Sequence, residues 1–165
     1  MKIKKRNGEL QEYQPNKIVK RINDQNKGLH CEADILSNEV ISYIYDGIST
    51  EQIDEISIKI AASKCSLHPD YTILASRLLL SNLYMKRKKE FSYTGLHEKV
   101  IINYNLWKDK VNAVINYERD NNFDFFGLQT LINSYLLPNE VPQHMYVRVA
   151  LYLADTFEEF EQFYE

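Results

Sequence analysis

Residues 1–18, MKIKKRNGELQEYQPNKI, combine a turn signal with a concentration of positive charge and decide the fold of the first half of the chain. Asn7-Gly8 supplies two residues that tolerate positive φ in a type I′ turn, so the stretch predicts a β-hairpin. A two-residue loop would place Arg6 opposite Glu9, which is a favourable cross-strand charge pair. Because an isolated two-stranded hairpin is marginally stable in water, this one must pack on the rest of the chain.

Basic side chains lie on both sides of the predicted turn. They are Lys2, Lys4, Lys5, Arg6, Lys17, Lys20 and Arg21. Such a cluster is able to hold an anion, although basic residues on a hairpin more often form a solvated face. The charge pattern alone leaves both interpretations open.

Composition excludes several classes of protein. The chain has 165 residues, 44% hydrophobic and 26% charged, which is typical of a globular protein with one domain or one domain and part of another. A formal net charge of −3 gives no general attraction to nucleic acid. Its apolar runs are shorter than the roughly 20 residues of a membrane span, and the first residues lack the apolar region of a signal peptide. Cys31 and Cys65 lie far apart without zinc-site spacing, which indicates a reducing compartment and a cytoplasmic location.

Helical periodicity predicts four helices after the hairpin. The predicted spans are Pro15 to Gly28, Ala33 to Asp46, Thr50 to the His68-Pro69-Asp70 break, and Tyr71 to Lys88. Gly28 and Gly47 are the expected residues just after the first two helices, and Ser49 to Gln52 is a capping signal for the third. The basic run Lys86 to Lys89 is then the solvated last turn of the fourth helix rather than a contact to nucleic acid.

From Glu90 onward the sequence predicts shorter, more aromatic segments and a last apolar helix from Met145 to Leu153. The chain then stops inside an amphipathic pattern. Its apolar members are Phe157, Phe160, Phe163 and Tyr164. We expect these side chains to have no partner within the chain, so that residues 90–165 form an incomplete helical segment.

Four stretches together resemble the large subunit of class I ribonucleotide reductases. KKRNGELQEYQPNKI resembles the opening of an ATP-cone, the regulatory nucleotide-binding domain of that family, and GISTEQIDEISIKIAASKCSLHPDYTILASRLLLSNL resembles its continuation. YERDNNFDFFGLQTLINSYLL and VPQHMYVRVAL resemble the segment between the cone and the catalytic barrel. The resemblance implies an α+β, mostly α fold. A β-hairpin packs on a four-helix ATP-cone over residues 1–89, and a helical segment over residues 90–165 leads into a reductase barrel that is missing from this chain.

The resemblance also implies an allosteric site for ATP, which activates the enzyme, or dATP, which inhibits it by changing subunit association, with Mg²⁺ as the accompanying ion. The implied nucleotide-binding residues are Lys5, Arg6, Gln11, Glu12, Tyr13, Gln14, Pro15, Asn16, Lys17, Thr50 and Asp54. Lys5, Arg6 and Lys17 would neutralise the triphosphate, and the backbone of residues 11–17 would donate N–H groups from a helix N-terminus. Thr50 and Asp54 match family residues at the nucleoside end, and both also suit the first turns of a helix.

Three positions depart from the family pattern. The family commonly has acidic residues at the positions of Gln11 and Asn16, and a lysine at that of Met85, to which Lys86 is adjacent. Losing a carboxylate weakens a Mg²⁺ or ribose contact, and losing a lysine removes a phosphate partner. One alternative is therefore a decayed cone that serves as a structural interaction module. Another is a stand-alone or split-gene adaptor that acts in trans.

We expect neither a catalytic residue nor a metal site in the chain, which by itself should be inactive. The radical chemistry of the family uses a barrel cysteine beyond the matched stretches, and neither Cys31 nor Cys65 matches a catalytic position. His68 is interpreted as a structural corner, and the remaining histidines are scattered. The partners that the resemblance implies are the remainder of the large subunit, the small radical-generating subunit and further copies of the chain. Nucleic acid and membrane are not expected as partners.

Overall fold

The computed structural model describes residues 1–87, 90–91 and 95–165. The expectations that involve Lys88 and Lys89 fall outside the described residues. Two compact units form, one from Met1–Asn82 with Phe123–Leu128 and the other from Leu83–Asn122 with Gln129–Glu165. The domain boundary between residues 89 and 90 stays a prediction.

The first part of the chain contains two strands and four helices, as the α+β, mostly α prediction requires. They are β1 (Lys2–Lys4), β2 (Leu10–Glu12), α1 (Pro15–Gln25), α2 (Ala33–Ser42), α3 (Thr50–Ser63) and α4 (Asp70–Lys86). The core of the first unit consists of apolar side chains that the strands and helices remove from water. Its most deeply buried members include Ile22, Leu36, Val40, Ile48, Leu74 and Leu78.

The predicted hairpin is present, but its turn differs from the type I′ prediction. The Lys5 N–H donates to the Glu9 carbonyl oxygen at 2.8 Å, and the Gly8 N–H donates to the Lys5 carbonyl oxygen at 2.9 Å. The loop therefore has three residues, of which Gly8 alone has positive φ, at +88°. A glycine in this last position is typical of three-residue hairpin loops. The predicted pairing of Arg6 with Glu9 is wrong, because Arg6 lies in the loop itself.

The hairpin is stabilised by pairing along its first strand with the segment before α3. The Lys4 N–H donates to the Ile48 carbonyl oxygen at 2.9 Å, and the Gly47 N–H donates to the Lys2 carbonyl oxygen at 2.8 Å. Ile3, between the two lysines, is 7% exposed and belongs to the core. This docking supplies the packing that an isolated hairpin lacks.

Several helices end earlier than the sequence predicts, among them α3, which ends at Ser63 and not at the His68-Pro69-Asp70 break. Helix α1 ends at Gln25 and is capped at Asn26, two residues before Gly28. The Asn26 N–H donates to the Ile22 carbonyl oxygen at 2.9 Å, and its side chain donates to the Cys31 carbonyl oxygen at 3.0 Å. Helix α2 ends at Ser42 and not at Asp46. The residues between Ser42 and Gly47 leave the helix, and this lets Gly47 bond to the hairpin.

The start signals of α3 and α4 are confirmed. Ser49 Oγ accepts from the Gln52 N–H at 3.1 Å, and Gln52 Oε1 accepts from the Ser49 N–H at 2.9 Å, which completes a capping box. His68 Nδ1 accepts from the Asp70 N–H at 3.1 Å, so His68 has the structural corner role that the sequence indicated.

The second part of the chain is more helical than predicted. Its elements are α5 (Glu98–Val114), a 3-10 helix (Tyr117–Asn122), α6 (Phe125–Ser134), α7 (Pro142–Leu153) and α8 (Phe157–Tyr164). The expectation of short segments is wrong for α5, which has 17 residues and one non-helical position, Trp107. Helix α7 begins at Pro142, three residues before the predicted Met145, because proline suits the first turn of a helix.

The terminal aromatic pattern is packed within the chain, contrary to the prediction. Phe160 is 0% exposed, and Tyr164 is 6% exposed. Both belong to the core of the second unit, and Phe157 packs against that core. Phe163 is 52% exposed, so it alone of the four side chains faces water as predicted. Helix α8 finds its partners in α7 and the other helices of the second unit.

A hydrogen-bonded polar network lies inside the second unit. The Asp120 carboxylate is fully buried and accepts from Tyr84 Oη and, at 2.7 Å, from Gln143 Nε2. Gln143 Oε1 accepts in turn from Tyr164 Oη at 2.7 Å. Burial raises the pKa of Asp120 above its ordinary value, although the two donated hydrogen bonds oppose that rise.

Within the described ranges, no helix combines the length and the apolar character that crossing a bilayer requires.

Candidate functional site

A cleft of about 810 Å³ opens beside the hairpin loop and the start of α3. The residues that line it are Lys5, Arg6, Asn7, Glu9, Leu10, Gln11 and Thr50. The hairpin supplies most of this lining, with Lys5 and Glu9 beside the loop, Arg6 and Asn7 in it, and Leu10 and Gln11 on β2. Thr50 is the first residue of α3, so the cleft also meets a helix N-terminus. The volume lies within the range of pockets that hold small molecules.

The structure brings together part of the predicted nucleotide-binding set. Lys5, Arg6, Gln11 and Thr50 line the cleft. Asp54 lies one turn further along α3 and contacts the Arg6 guanidinium. Cationic, amide and hydroxyl groups are thereby combined in one cleft. Such a set is able to bind phosphate oxygens and sugar hydroxyls.

The other predicted residues continue from the hairpin into α1. They are Glu12, Tyr13, Gln14, Pro15, Asn16 and Lys17. The described lining of the cleft does not include these six. Tyr13 packs against the core of the first unit, and its hydroxyl is buried without a hydrogen-bond partner among the described residues. Burial raises the pKa of Tyr13, so its phenol stays neutral.

Asp54 is held between two arginines. It is 4% exposed, and its Oδ2 accepts from Arg6 Nη2 at 2.5 Å. Its Oδ1 forms an ion pair with Arg21 Nη1. Arg6 Nη2 also donates to Asn82 Oδ1 at 3.0 Å. A buried carboxylate needs such counter-charges, because leaving it unpaired away from water is costly.

Arg21 is a member of this cluster that the sequence-based site assignment missed. Its side chain, on α1, is 23% exposed, and its Nε and Nη2 are buried without a hydrogen-bond partner among the described residues. Burial, followed by the neighbouring charge of Arg6, lowers the pKa of Arg21 to about 10, so it remains protonated at neutral pH. The available signal was its position beside Ile18 and Ile22, which places an arginine at the edge of the buried face of α1.

The charge of the cleft is mixed. Lys5 and Arg6 are positive, whereas Glu9 is negative, and Glu51 Oε1 lies 3.9 Å from Arg6 Nε. A Mg²⁺ ion is usually bound by one or two carboxylates together with substrate phosphates, so Glu9 suits an ion that arrives with a nucleotide. Among the described residues, no group of three His, Cys, Asp or Glu side chains is arranged to hold a metal on its own.

The three departures from the family pattern differ in setting. Gln11 lines the cleft, so its amide replaces a carboxylate at the site itself. Asn16 is exposed in the first turn of α1. Met85 is 52% exposed near the end of α4.

Comparisons with known proteins agree with the resemblance of the four stretches. The chain is similar to the ribonucleoside-diphosphate reductase large subunit of Monkeypox virus, with 38% identity over 92% of this chain and 23% of the relative. The large chain of Neurospora crassa is 36% identical over 92% of this chain and 19% of that protein. The large subunit of Arabidopsis thaliana is 34% identical over 92% of this chain and 22% of that protein. The chain thus spans less than a quarter of the length of these relatives.

Two family models match the chain. Residues 121–165 match the all-alpha domain of ribonucleotide reductase. Residues 1–86 match the ATP cone domain, and they include every residue of the cleft and the Asp54 cluster. Since that second match covers more than half of the 165 residues, the chain belongs to the ATP cone family.

Proposed function

We propose that this chain is the overall-activity regulatory region of a ribonucleoside-diphosphate reductase large subunit. It binds ATP as an activator or dATP as an inhibitor in the hairpin cleft, and the bound nucleotide controls subunit association during deoxyribonucleotide synthesis. The observation that carries the proposal is the cleft in the cone, where Lys5, Arg6, Gln11 and Thr50 meet. The decayed-cone alternative predicts instead that the same cleft binds no nucleotide.

Each cleft residue has a role in the proposal that follows from its chemistry. Lys5 and Arg6 bind the phosphates through charge-assisted hydrogen bonds, which are stronger than neutral ones. Gln11 and Thr50 bind the nucleoside through groups that both donate and accept hydrogen bonds. Asp54 holds Arg6 in the absence of a nucleotide, and its carboxylate is buried between the Arg6 and Arg21 guanidinium groups.

Residues 12–17 contribute through the backbone at the start of α1. Pro15 begins that helix, and Lys17 adds a positive charge in its first turn. A helix N-terminus favours an anion because its dipole is positive there. In α1, Pro15 has no N–H and the Lys17 N–H donates to the Gln14 carbonyl oxygen at 3.1 Å, so the contribution comes from the dipole and the Lys17 charge. Lys17 thus attracts the triphosphate in this proposal without lining the cleft.

A bound Mg²⁺ would neutralise phosphate charge at this site. Glu9 is the carboxylate that the cleft offers for it, and Gln11 replaces the acid that the family commonly has. With fewer carboxylates to hold the ion, we expect Mg²⁺ to add less to nucleotide affinity here than in cones that keep the acid.

The reductase chemistry belongs to the remainder of the protein in this proposal. Cys31 is buried, and its burial raises its pKa to about 11, so it is a thiol and not a reactive thiolate at neutral pH. Together with the short coverage of the relatives, this supports a regulatory chain that is inactive by itself. The two free cysteines support the proposed cytoplasmic location, since disulfides are rare in reducing compartments.

The second unit supports a further partner surface. Helix α7 exposes the apolar side chains of Tyr146, Val149, Tyr152 and Leu153. A surface of this kind is common at protein interfaces. We propose that it packs on the remainder of the large subunit, and that the small radical-generating subunit and further copies of the chain complete the assembly. Nucleic acid and membrane are not among the proposed partners.

Calorimetric titration of the chain with ATP and with dATP, each with Mg²⁺, tests the nucleotide site. We expect saturable binding of both nucleotides. Light scattering during gel filtration then tests whether dATP and ATP give species of different size. Absence of binding at millimolar nucleotide, with the fold intact, would contradict the proposal and favour the decayed cone.

Alanine substitutions assign the phosphate roles. Lys5→Ala and Arg6→Ala should each weaken ATP binding by about tenfold, since a hydrogen bond to a charged group contributes about 1.5–3 kcal/mol. Lys59→Ala is the matched control, because Lys59 is exposed on α3 and does not line the cleft. An ATP affinity that is unchanged in the first two variants, or equally reduced in all three, would overturn the assignment.

A further inference from the structure

The Arg6 side chain belongs both to the lining of the cleft and to the buried cluster around Asp54. Its side chain lines the cleft, and its Nη2 contacts both Asp54 Oδ2 and Asn82 Oδ1. The N–H groups of Arg6 Nη2 are engaged with Asp54 and Asn82, so an anion that takes Nη2 competes with Asp54.

The two arginines on Asp54 are held differently. Arg6 is in the three-residue loop of the hairpin and its side chain is 31% exposed, so its guanidinium is able to move toward solvent. Arg21 is in the middle of α1, its side chain is 23% exposed, and two of its nitrogens are fully buried. The like charges of the two guanidinium groups repel each other, and the more exposed one, Arg6, is the one that a ligand in the cleft reaches.

Removal of Arg6 requires that Asp54 keep another cation. An unpaired buried carboxylate is strongly destabilising, whereas one that retains a guanidinium partner is tolerated. Arg21 supplies that partner on Oδ1, the oxygen that Arg6 does not use. The cluster thus contains one cation more than the carboxylate needs.

We infer that Arg6 is the exchangeable partner of Asp54 and Arg21 the resident one. A polyphosphate group entering the cleft takes Arg6 from Asp54, and Arg21 then holds the carboxylate alone. Arg21 is a positioning residue in this exchange and does not touch the anion. The inference rests on the proposed function, because the polyphosphate that it concerns is that of the bound nucleotide.

Binding of inorganic tripolyphosphate to the 165-residue chain isolates this step, since that probe lacks the nucleoside. Asp54→Asn should bind tripolyphosphate about tenfold more tightly than the parent chain, because Arg6 no longer has to break an ion pair. Arg21→Gln should bind it about tenfold more weakly, because Asp54 then retains Arg6 as its remaining cation. Arg21→Lys keeps the charge and should stay within about threefold of the parent chain.

The double variant decides whether Arg21 acts through Asp54. In the Asp54→Asn background, Arg21→Gln should change tripolyphosphate affinity by less than about twofold. An Arg21→Gln effect that is equally large in both backgrounds would overturn the inference, since Arg21 would then bind the anion directly or act by its charge alone. A loss of affinity in Asp54→Asn would overturn it as well.

Side-chain NMR of the parent chain gives a second measurement that needs no substitution. On addition of tripolyphosphate, the Nε–H resonance of Arg6 should move to a new position, while that of Arg21 should move much less. Equal shifts, or a shift of Arg21 alone, would contradict the exchange. If tripolyphosphate exchanges Arg6 as described and ATP fails to bind, the nucleotide proposal fails and the exchange stands. If ATP binds and the double variant is additive, the exchange alone fails.

Discussion

Replacing Phe160 by alanine tests whether the end of the chain belongs to the core of the second unit. Phe160 is 0% exposed, and its ring centroid lies 5.6 Å from that of Phe157 and 5.9 Å from that of Tyr164. Burying a phenylalanine stabilises a fold by about 1.5–3 kcal/mol, and each aromatic pair adds about 0.5–1.5 kcal/mol. We therefore expect Phe160→Ala to lower the free energy of unfolding by about 4 kcal/mol, within the usual range of about 3–5 kcal/mol for such substitutions.

Phe163→Ala is the matched control on the same helix. Its side chain is 52% exposed, so its loss should change the free energy of unfolding by no more than about 0.5 kcal/mol. The two substitutions remove the same group from α8 three residues apart and differ in burial. A similar cost for both would therefore contradict the described packing.

Urea unfolding followed by tryptophan fluorescence is the suitable assay. Trp107 is the single tryptophan of the chain, and its ring packs edge-on against Phe157 at a centroid distance of 6.0 Å. The signal therefore reports the second unit. With a urea dependence of about 1–2 kcal/mol per molar, the unfolding midpoint of Phe160→Ala should fall by about 2 M or more. A loss below about 1 kcal/mol would refute the reasoning, because a fully buried aromatic ring would then contribute almost nothing.

Three further predictions concern the turn, the cap and the buried carboxylate. Gly8→Ala should lower the free energy of unfolding by about 1 kcal/mol, measured by urea unfolding with circular dichroism. The φ of Gly8 is +88°, and a Cβ there meets no atom within 4 Å, so the penalty comes from backbone conformation alone. Ser49→Ala should cost about 1 kcal/mol in the same assay through the loss of the α3 cap, and an unchanged midpoint would contradict the capping box. Burial raises the folded-state pKa of Asp120 above 3.8, so this group stabilises the second unit at low pH and that contribution is lost as pH rises through the raised value. Asp120→Asn should remove the Asp120 contribution from the pH dependence of the free energy of unfolding, measured by Trp107 fluorescence. If this free energy varies with pH in the same way in the parent chain and in Asp120→Asn, the contribution is absent.

The parts of the fold that depend on local chemistry were predictable from the sequence. The capping residues Ser49 and Gln52 and the apolar periodicity of the four cone helices depend on neighbours within one or two turns. The turn type of the hairpin was not predictable in this way. Asn7-Gly8 suits more than one loop, and the pairing of Lys4 with Ile48 selects the register that turns Ile3 inward.

Prediction of the candidate site was limited in the same way, because contacts between distant parts of the chain are not visible in local sequence. Lys5, Arg6, Gln11 and Thr50, which line the cleft, were predicted as site residues because they fall within stretches that resemble a known family. Arg21 was missed as a site residue because its partner Asp54 lies 33 positions further along the chain. The position of Arg21 at the edge of the buried face of α1 does not identify that partner. Phe160 was misjudged for a related reason, since periodicity shows which face of a helix is apolar but not which other helix covers that face.

The pairing of β1 with the segment that precedes α3 has a consequence for synthesis on the ribosome. Residues 2–4 leave the exit tunnel well before residues 47–49, yet their backbone groups bond to each other. At about 5–20 residues per second, the first strand waits several seconds for its acceptor. The cleft therefore cannot form while α1 and α2 are being made, and a nascent chain acquires it only after α3 has begun to emerge.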